Sequence, residues 1–363
     1  MKFSFKYLIL LFFTQDLFSQ YIVHEDAFLS DSDLPCNCAT LTPDEYYNSG
    51  SFWNTTPLDL SNSFEIIIKA NFGCITETPD GGDGLAFLLQ TNGSGQLPTG
   101  NGGNLGYNGI TPSLAVQFDT YRDNPIEYPD NNDPGGGFFP YYDHVGLMKN
   151  GSCNHQTVDD ISTVPFSPTF TDVEDCNLYN DHQISFIWDV LTQNFQVIYC
   201  NDLEGCFSVV DQNIDISNDI FNGDNFVYWG FTASTGGAKN EQTICVHYFD
   251  QQPLIEDTIV CYQENLQIDL SCMNNFSFEW KDLSGSVISS SPIFDIIPVS
   301  NEDYTLTITN DYTGRSFTEY FSVLVLQPEL EEVLIEHLDN ECYGYSQGQF
   351  TLDYINSFGQ VNY

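Results

Sequence analysis

Leu114-Ala115-Val116-Gln117-Phe118-Asp119 reads as a buried strand that carries two polar side chains into an apolar run. Side chains alternate along a strand, so Gln117 and Asp119 share one face. A carboxylate among apolar residues is costly to bury unless a cation meets it. No lysine is close in sequence, and Arg122 is the only arginine between Leu114 and Leu147. The loop that follows offers oxygens instead, from Asp123, Asn124, Asp130, Asn131, Asn132 and Asp133. Hard oxygen donors on a curled, Pro- and Gly-rich loop suit Ca²⁺, which takes about six to eight of them. A solvated acidic loop is the plainer alternative. The carboxylate inside the strand, and the Asp143-His144 pair that opens the returning strand His144-Val145-Gly146-Leu147, favour an ion.

Three Gly-rich stretches could place polar groups beside that loop. Gly81-Gly82-Asp83-Gly84 is a tight turn feeding the apolar run Leu85 to Gln90, and a lone Asp before Gly is ordinarily a turn residue. Gln96 to Gly109 contains Gly102-Gly103-Asn104-Leu105-Gly106-Tyr107, and Tyr228 to Gly237 runs into the loop Gly236-Gly237-Ala238-Lys239-Asn240-Glu241. Nothing here reads as catalytic machinery. A glycosidase needs two carboxylates flanking the bond. Glu65 stands alone in its strand, Glu77 has no partner on its face, and neither E-x-D-x-x-E nor G-x-S-x-G occurs. No catalytic residue is assigned, and the chain is read as a non-enzyme.

The order Gln117-Phe118-Asp119-Thr120-Tyr121-Arg122-Asp123, then Asp133-Pro134, then Asp143-His144-Val145-Gly146 resembles the metal loop of the L-type (legume-like) lectins, V-E-F-D-T-x-x-N, D-P and D-H-V/I-G/A-I. Gly82-Asp83-Gly84-Leu85-Ala86-Phe87 resembles that family's A-D-G-x-A-F, with Gly for Ala, and Gly230-Phe231-Thr232-Ala233-Ser234-Thr235-Gly236 resembles its G-F-S/T-A-x-T-G. The resemblance implies a concanavalin-like jelly-roll β-sandwich that holds Ca²⁺ beside a shallow sugar site. By position it makes Asp119 and Asp133 side-chain metal ligands and Tyr121 a backbone-carbonyl ligand. Asp123 falls where the family has Asn. Gln117 and His144 fall on a neighbouring transition-metal site. For sugar it implies Asp83 as acceptor of two hydroxyls, often after a cis peptide, and Gly103 as a backbone N–H donor. It adds Tyr121 as a stacking ring, Asp123 or Asn124 as a further polar contact, and Gly237 and Ala238 in the specificity loop. Two departures carry expectations. Gln117 replaces an anionic ligand by a neutral amide, so the second metal is expected to be weak or absent. Asp123 keeps an oxygen for calcium but lacks the amide N–H that would face sugar; a shift of one residue would restore it through Asn124.

The bulk numbers narrow the partners. The 363 residues include 51 acidic and 8 basic side chains, for a formal net charge of −43. Nucleic acids and anionic membranes both need a positive patch, so neither is expected. Aromatics make up 15% and charged residues only 16%, a balance that suits an all-β chain with many turns. Residues 1–20 open with Lys2 and Lys6 before the apolar run Tyr7 to Phe13, the pattern of a secretory signal, too short to span a bilayer. Export permits disulfides among the 11 Cys, and Cys200 and Cys206 flank a turn that a bridge would close.

Four segments follow: 1–20 as signal, 21–250 as the lectin-like sandwich, 254–326 as a smaller Ig- or PKD-like β-sandwich, and 327–363 as the start of an adhesin-type repeat. Within the first sandwich, His182 to Tyr199 reads as two strands about a turn, with His182 facing solvent or capping a strand. The function expected is calcium-dependent binding of glycans or polysaccharide by a secreted or cell-surface adhesin of bacterial type, without membrane insertion. Anchoring would pass through a C-terminal part beyond residue 363. The alternatives are a structural or protein-binding surface module without sugar binding and, behind it, a jelly-roll glycoside hydrolase.

Overall fold

The computed structural model describes residues 20–31, 36–74, 81–121, 143–166, 173–175, 182–326, 355–356 and 359–360. Most of the expected signal, of the acidic loop and of the expected C-terminal repeat therefore lies outside the described residues. Regular structure is almost entirely β. A three-residue 3-10 turn at Gly102–Asn104 and a five-residue π turn at Ile216–Ile220 are the helical pieces among the described residues. By contacts the chain divides into two units, 1–254 with 269–277 and 308–317, and 255–268 with 278–307 and 318–363.

The first unit contains two antiparallel sheets. One runs in the order Tyr21–Glu25, Ser49–Asn54, Phe226–Ser234, Gly84–Gln90, Ser113–Asp119, His144–Lys149, Asp160–Pro165, with Leu58–Asp59 pairing Phe226–Ser234. The other runs Gly205–Asn213, Asn194–Asn201, His182–Asp189, Phe64–Asn71, Gln242–Phe249, Asn37–Thr42, Phe28–Asp31. Aromatic rings fill the space between them. Phe87 of the first sheet stacks on Phe186 of the second with centroids 4.1 Å apart, and Phe72, Phe118 and Phe166 pack alongside. Each such ring, moved from water to this interior, contributes about 1.5–3 kcal/mol.

Gly84–Gln90 and Ser113–Asp119 are buried at every position. Half-buried strands would alternate; these do not, because both faces are covered. Trp53, Ala86, Leu88, Leu105, Tyr107, Ile110, Ala115, Met148 and Cys153 form a second apolar cluster on the outer face. The Gly-rich stretch 91–112 and the turn at 150–153 supply that cover. The register Gly84↔Asp119 and Asp119↔His144 then brings Asp119 and His144, with Gly84 next to Asp83, to one end of three adjacent strands.

Within this unit Cys38 is bridged to Cys245, Cys200 to Cys206 across the expected turn, and Cys36 to Cys272. His182 departs from expectation. It is buried beside Phe72 and its Nδ1 lies 2.7 Å from Tyr199 Oη. Its alternation with Ile184 and Phe186 places it on the inward face, and burial lowers its pKa to about 4.

In the second unit, Thr258–Cys261 pairs parallel with Ser316–Leu326 in a five-stranded sheet ordered Thr258–Cys261, Ser316–Leu326, Glu302–Asn310, Phe276–Asp282, Val287–Ser289. A two-stranded sheet, Leu266–Asp269 with Ile293–Ile296, completes it. Trp280 stacks on Phe294 at 4.5 Å, with Tyr304 and Phe321 closing the core. The alternating strands expected over 254–326 are thus present as small β-sheets.

Candidate functional site

Asp83 lies where three loops meet. The Gly82–Asp83 peptide is cis, and Asp83 is 4% exposed. Its backbone is held on both sides: Asp83 N–H donates to Ser234 O at 3.0 Å, and Thr120 N–H donates to Asp83 O at 3.1 Å. Its carboxylate rests against two glycines. A Cβ on Gly236 would stand 2.9 Å from Asp83 Oδ2, and one on Gly102 would stand 3.9 Å from Oδ1. The two glycine loops are tied together, since Gly102 N–H donates to Thr235 O at 3.0 Å and Ser234 Oγ–H to Gly102 O at 2.6 Å. Gly103 follows in the same short turn, with open space beside its Cα. Gly237 is exposed with open space beside it, and Ala238 is buried with its carbonyl accepting from Gly236 N–H at 2.9 Å.

Tyr121 approaches from the side of the acidic loop. Its Cβ would lie 2.9 Å from a Cβ on Gly82, so the glycine permits the ring to sit against the Asp83 turn. Tyr121 N–H donates to Asp119 Oδ1 at 3.1 Å, which folds the chain back over the carboxylate as it leaves the strand. Asp83, Gly103, Tyr121, Gly237 and Ala238 are thus brought to one locality, with Asp119 and His144 one step below it. Asp123, Asn124 and Asp133 lie outside the described residues.

A second tier supports these loops, and no motif pointed to it. Glu174, fully buried, accepts from Thr120 Oγ1 at 2.9 Å and from Asn240 Nδ2. Asn240 Nδ2 also donates to Phe72 O at 3.1 Å, and Asn240 O accepts from Thr42 Oγ1 at 3.2 Å. A Cβ on Gly81 would come 2.7 Å from Glu174 Oε1, so glycine is needed there.

At the metal end, Asp119 is 6% exposed and its Oδ2 stands 3.9 Å from His144 Nε2. Calcium fits what is seen here: a buried carboxylate at the root of a loop whose sequence is rich in hard oxygen donors. A carboxylate-rich transition-metal site does not fit. Gln117 is buried with its Oε1 hydrogen-bonded to Tyr107 Oη and its Nε2 turned toward two imidazoles, those of His144 and His155. Among the described residues, no group of three or more His, Cys, Asp or Glu side chains is arranged to hold an ion by itself. His155 escaped sequence reasoning, because it sits in an irregular turn after Gly151 and matches no motif.

The profile of the legume lectin β-barrel domain matches residues 13–248. Solved structures with a similar chain include the metal-free form of lectin I-B4 from Griffonia simplicifolia, at 18% identity and a TM-score of 0.46, covering 64% of this chain and 93% of that one. Peanut lectin with a nine-residue peptide matches at 22% identity and a TM-score of 0.47, covering 64% and 91%. Basic winged bean lectin with Tn-antigen matches at 20% identity and a TM-score of 0.46, covering 62% and 89%.

Proposed function

The chain belongs to the legume lectin β-barrel domain family, whose fold implies carbohydrate binding, and on that premise we propose that residues 21–250 bind glycans or polysaccharide in a calcium-dependent manner. The observation that carries this reading is the position of the Asp83 carboxylate, bordered by Gly102 and Gly236, with Tyr121 packed against the preceding Gly82. A carboxylate is an acceptor-only group with two oxygens, suited to paired sugar hydroxyls. Gly103 offers a backbone N–H beside it, and Tyr121 a ring face for the apolar side of a pyranose. Gly237 and Ala238 form the rim that selects among sugars.

Calcium would be held by Asp119, Asp123, Asp133 and the Tyr121 carbonyl, and it would order the loop that carries Tyr121 and Asp123. The protein acts as a binder and not as an enzyme. The Cys36–Cys272, Cys38–Cys245 and Cys200–Cys206 disulfides fit an oxidising, extracellular setting. That supports a secreted or cell-surface protein with 1–20 as its signal. The segments 254–326 and 327–363 would then serve as spacer module and adhesin-type repeat of a bacterial surface protein.

A glycan array probed with the full chain in Ca²⁺, and again in chelator, tests the reading. Binding to a defined glycan class that chelator abolishes is expected. Absence of glycan binding in Ca²⁺ would leave a structural or protein-binding module.

A further inference from the structure

The loop 43–48, Pro43-Asp44-Glu45-Tyr46-Tyr47-Asn48, joins Asn37–Thr42 of one sheet to Ser49–Asn54 of the other. No lectin-like motif falls on it. The register Ser49↔Ser234 and Ser234↔Gly84 puts the end of this loop level with Asp83, two strands away. Adjacent strands stand about 4.8 Å apart, so the separation is roughly 10 Å, within reach of a disaccharide. Tyr46 is 56% exposed and Tyr47 67%, with ring centroids 6.4 Å apart and planes inclined at 45°. Single exposed apolar residues are ordinary on a surface, but two adjoining rings at the rim of a polar site call for a partner.

Thr235 anchors the loop to that site. Its Oγ1–H donates to Glu45 O at 2.6 Å, Asn48 N–H donates to Thr235 Oγ1 at 2.9 Å, and Thr235 N–H donates to Asn48 O at 2.9 Å. Thr235 sits between Ser234, whose carbonyl accepts from Asp83 N–H, and Gly236, which lies against the Asp83 carboxylate. Asn101, next to Gly102, donates from Nδ2 to Tyr47 O at 3.4 Å, and Lys239 Nζ donates to Asp44 O at 2.9 Å. Both glycine loops that border Asp83 therefore also hold the loop of the two tyrosines. Tyr47 takes left-handed backbone at φ +60°. Gly or Asn would sit there with less strain, so the backbone alone does not call for a tyrosine.

We propose that Tyr46 and Tyr47 form a second, aromatic subsite that takes a neutral pyranose linked to the one at Asp83, so that this end of the sandwich selects oligosaccharides over single sugars. The inference rests on the sugar-binding reading of Asp83. The apolar face of a pyranose packs on an aromatic ring, and tyrosine supplies that area with few rotatable bonds and a hydroxyl for the polar edge. Charge favours a neutral occupant. Lys239 Nζ lies 5.0 Å from the centre of the Tyr46 ring, and 3.3 Å from Asp44 Oδ1, so that cation is already paired. Glu45 adds a further negative charge to the loop. A uronate or sulfate would gain no counter-ion here and would meet two carboxylates.

The test uses the full chain in Ca²⁺. It is titrated calorimetrically with free glucose, mannose, galactose, N-acetylglucosamine, N-acetylgalactosamine and fucose, then with neutral oligosaccharides that end in whichever of these binds. The oligosaccharides should bind about tenfold or more tightly than the single sugar. Combining Tyr46→Ala with Tyr47→Ala should shrink that gap to about twofold, whereas Tyr46→Phe with Tyr47→Phe, which keeps both rings, should retain most of it. Circular dichroism establishes that each variant is folded; if the alanine pair is not, Tyr47→Asn, which suits the left-handed backbone, carries the test. A uronate or sulfate on the second sugar should weaken binding. Oligosaccharides no tighter than the single sugar, an unchanged gap in the folded variants that lack a ring, or tighter binding of an acidic second sugar would overturn the subsite and leave the Asp83 reading standing. Failure of every single sugar and every oligosaccharide to bind would overturn both.

Discussion

Asp83 and Thr120 are joined by a backbone hydrogen bond, Thr120 N–H to Asp83 O at 3.1 Å. Thr120 directly follows Asp119, so the residue expected at the ion and the residue expected at the sugar are separated by one peptide unit and one hydrogen bond. In the proposed reading, this linkage would give calcium a physical route to the sugar site. Ordering the chain beyond Asp119 also fixes the Tyr121 ring against Gly82.

Asp119→Ala should therefore abolish calcium and glycan binding together. In native protein, Ca²⁺ at about 100 times its Kd should add roughly 2.7 kcal/mol of stability by mass action. Thermal melts with Ca²⁺ and with chelator should differ for native protein and coincide for Asp119→Ala. A calcium-dependent rise in Tm that survives the substitution would remove Asp119 from the ion.

Gly236 and Gly237 are neighbours in sequence with opposite surroundings. A Cβ at 236 would meet Asp83 Oδ2 and Gly102 Cα, both at 2.9 Å, whereas one at 237 meets nothing within 4 Å. Gly236→Ala should displace the Asp83 carboxylate and weaken glycan binding about tenfold or more, an overpacking cost of roughly 1–3 kcal/mol. Gly237→Ala should change stability by less than about 0.5 kcal/mol. Titration calorimetry and urea melts on both variants check the contrast.

Acid should destabilise the first unit through two buried histidines. Burial lowers His182 to about 4 and His247 to about 3, against an ordinary value of 6.5. Below pH 6.5 the unfolded chain takes up protons that these rings refuse, so their stability contribution is lost as pH falls toward 4 and 3. Glu65 works the other way. Burial raises it to about 7, partly offset by Arg315, so its contribution is fully present near pH 4.5 and lost as pH rises through 7. His247 is edge-on to Phe276. His247→Leu should flatten the acid limb between pH 6 and 4 by up to about 1.4 kcal/mol per pH unit, read from urea midpoints.

The sandwich and the neighbourhood of Asp83 and Asp119 are legible because each leaves a local signature. A continuous apolar run such as Leu85 to Leu89 marks a strand covered on both faces, and Asp83 and Asp119 sit in short ordered motifs. His182 was misplaced toward solvent, although its two-residue spacing from Ile184 and Phe186 already put it on the inward face; the polar residue type outweighed the period. Glu174 and His155 left no such mark. Glu174 joins Thr120 to Asn240, 54 and 66 residues away along the chain, and His155 reaches Gln117 only because Gly146 lacks a Cβ. Contacts made by the absence of an atom, or across distant turns, exist only once the sheets are assembled. The Cys36–Cys272 bridge, which spans 236 residues, belongs to the same class.

The central claim is that Asp83 holds the sugar, and calorimetric titration of the best array glycan into native protein and Asp83→Ala, both saturated with Ca²⁺, tests it most directly. Two hydroxyl hydrogen bonds to a carboxylate are worth about 1.5–3 kcal/mol each. Asp83→Ala should therefore lose binding by more than about 100-fold while retaining calcium affinity. Full glycan affinity in folded Asp83→Ala would contradict the account.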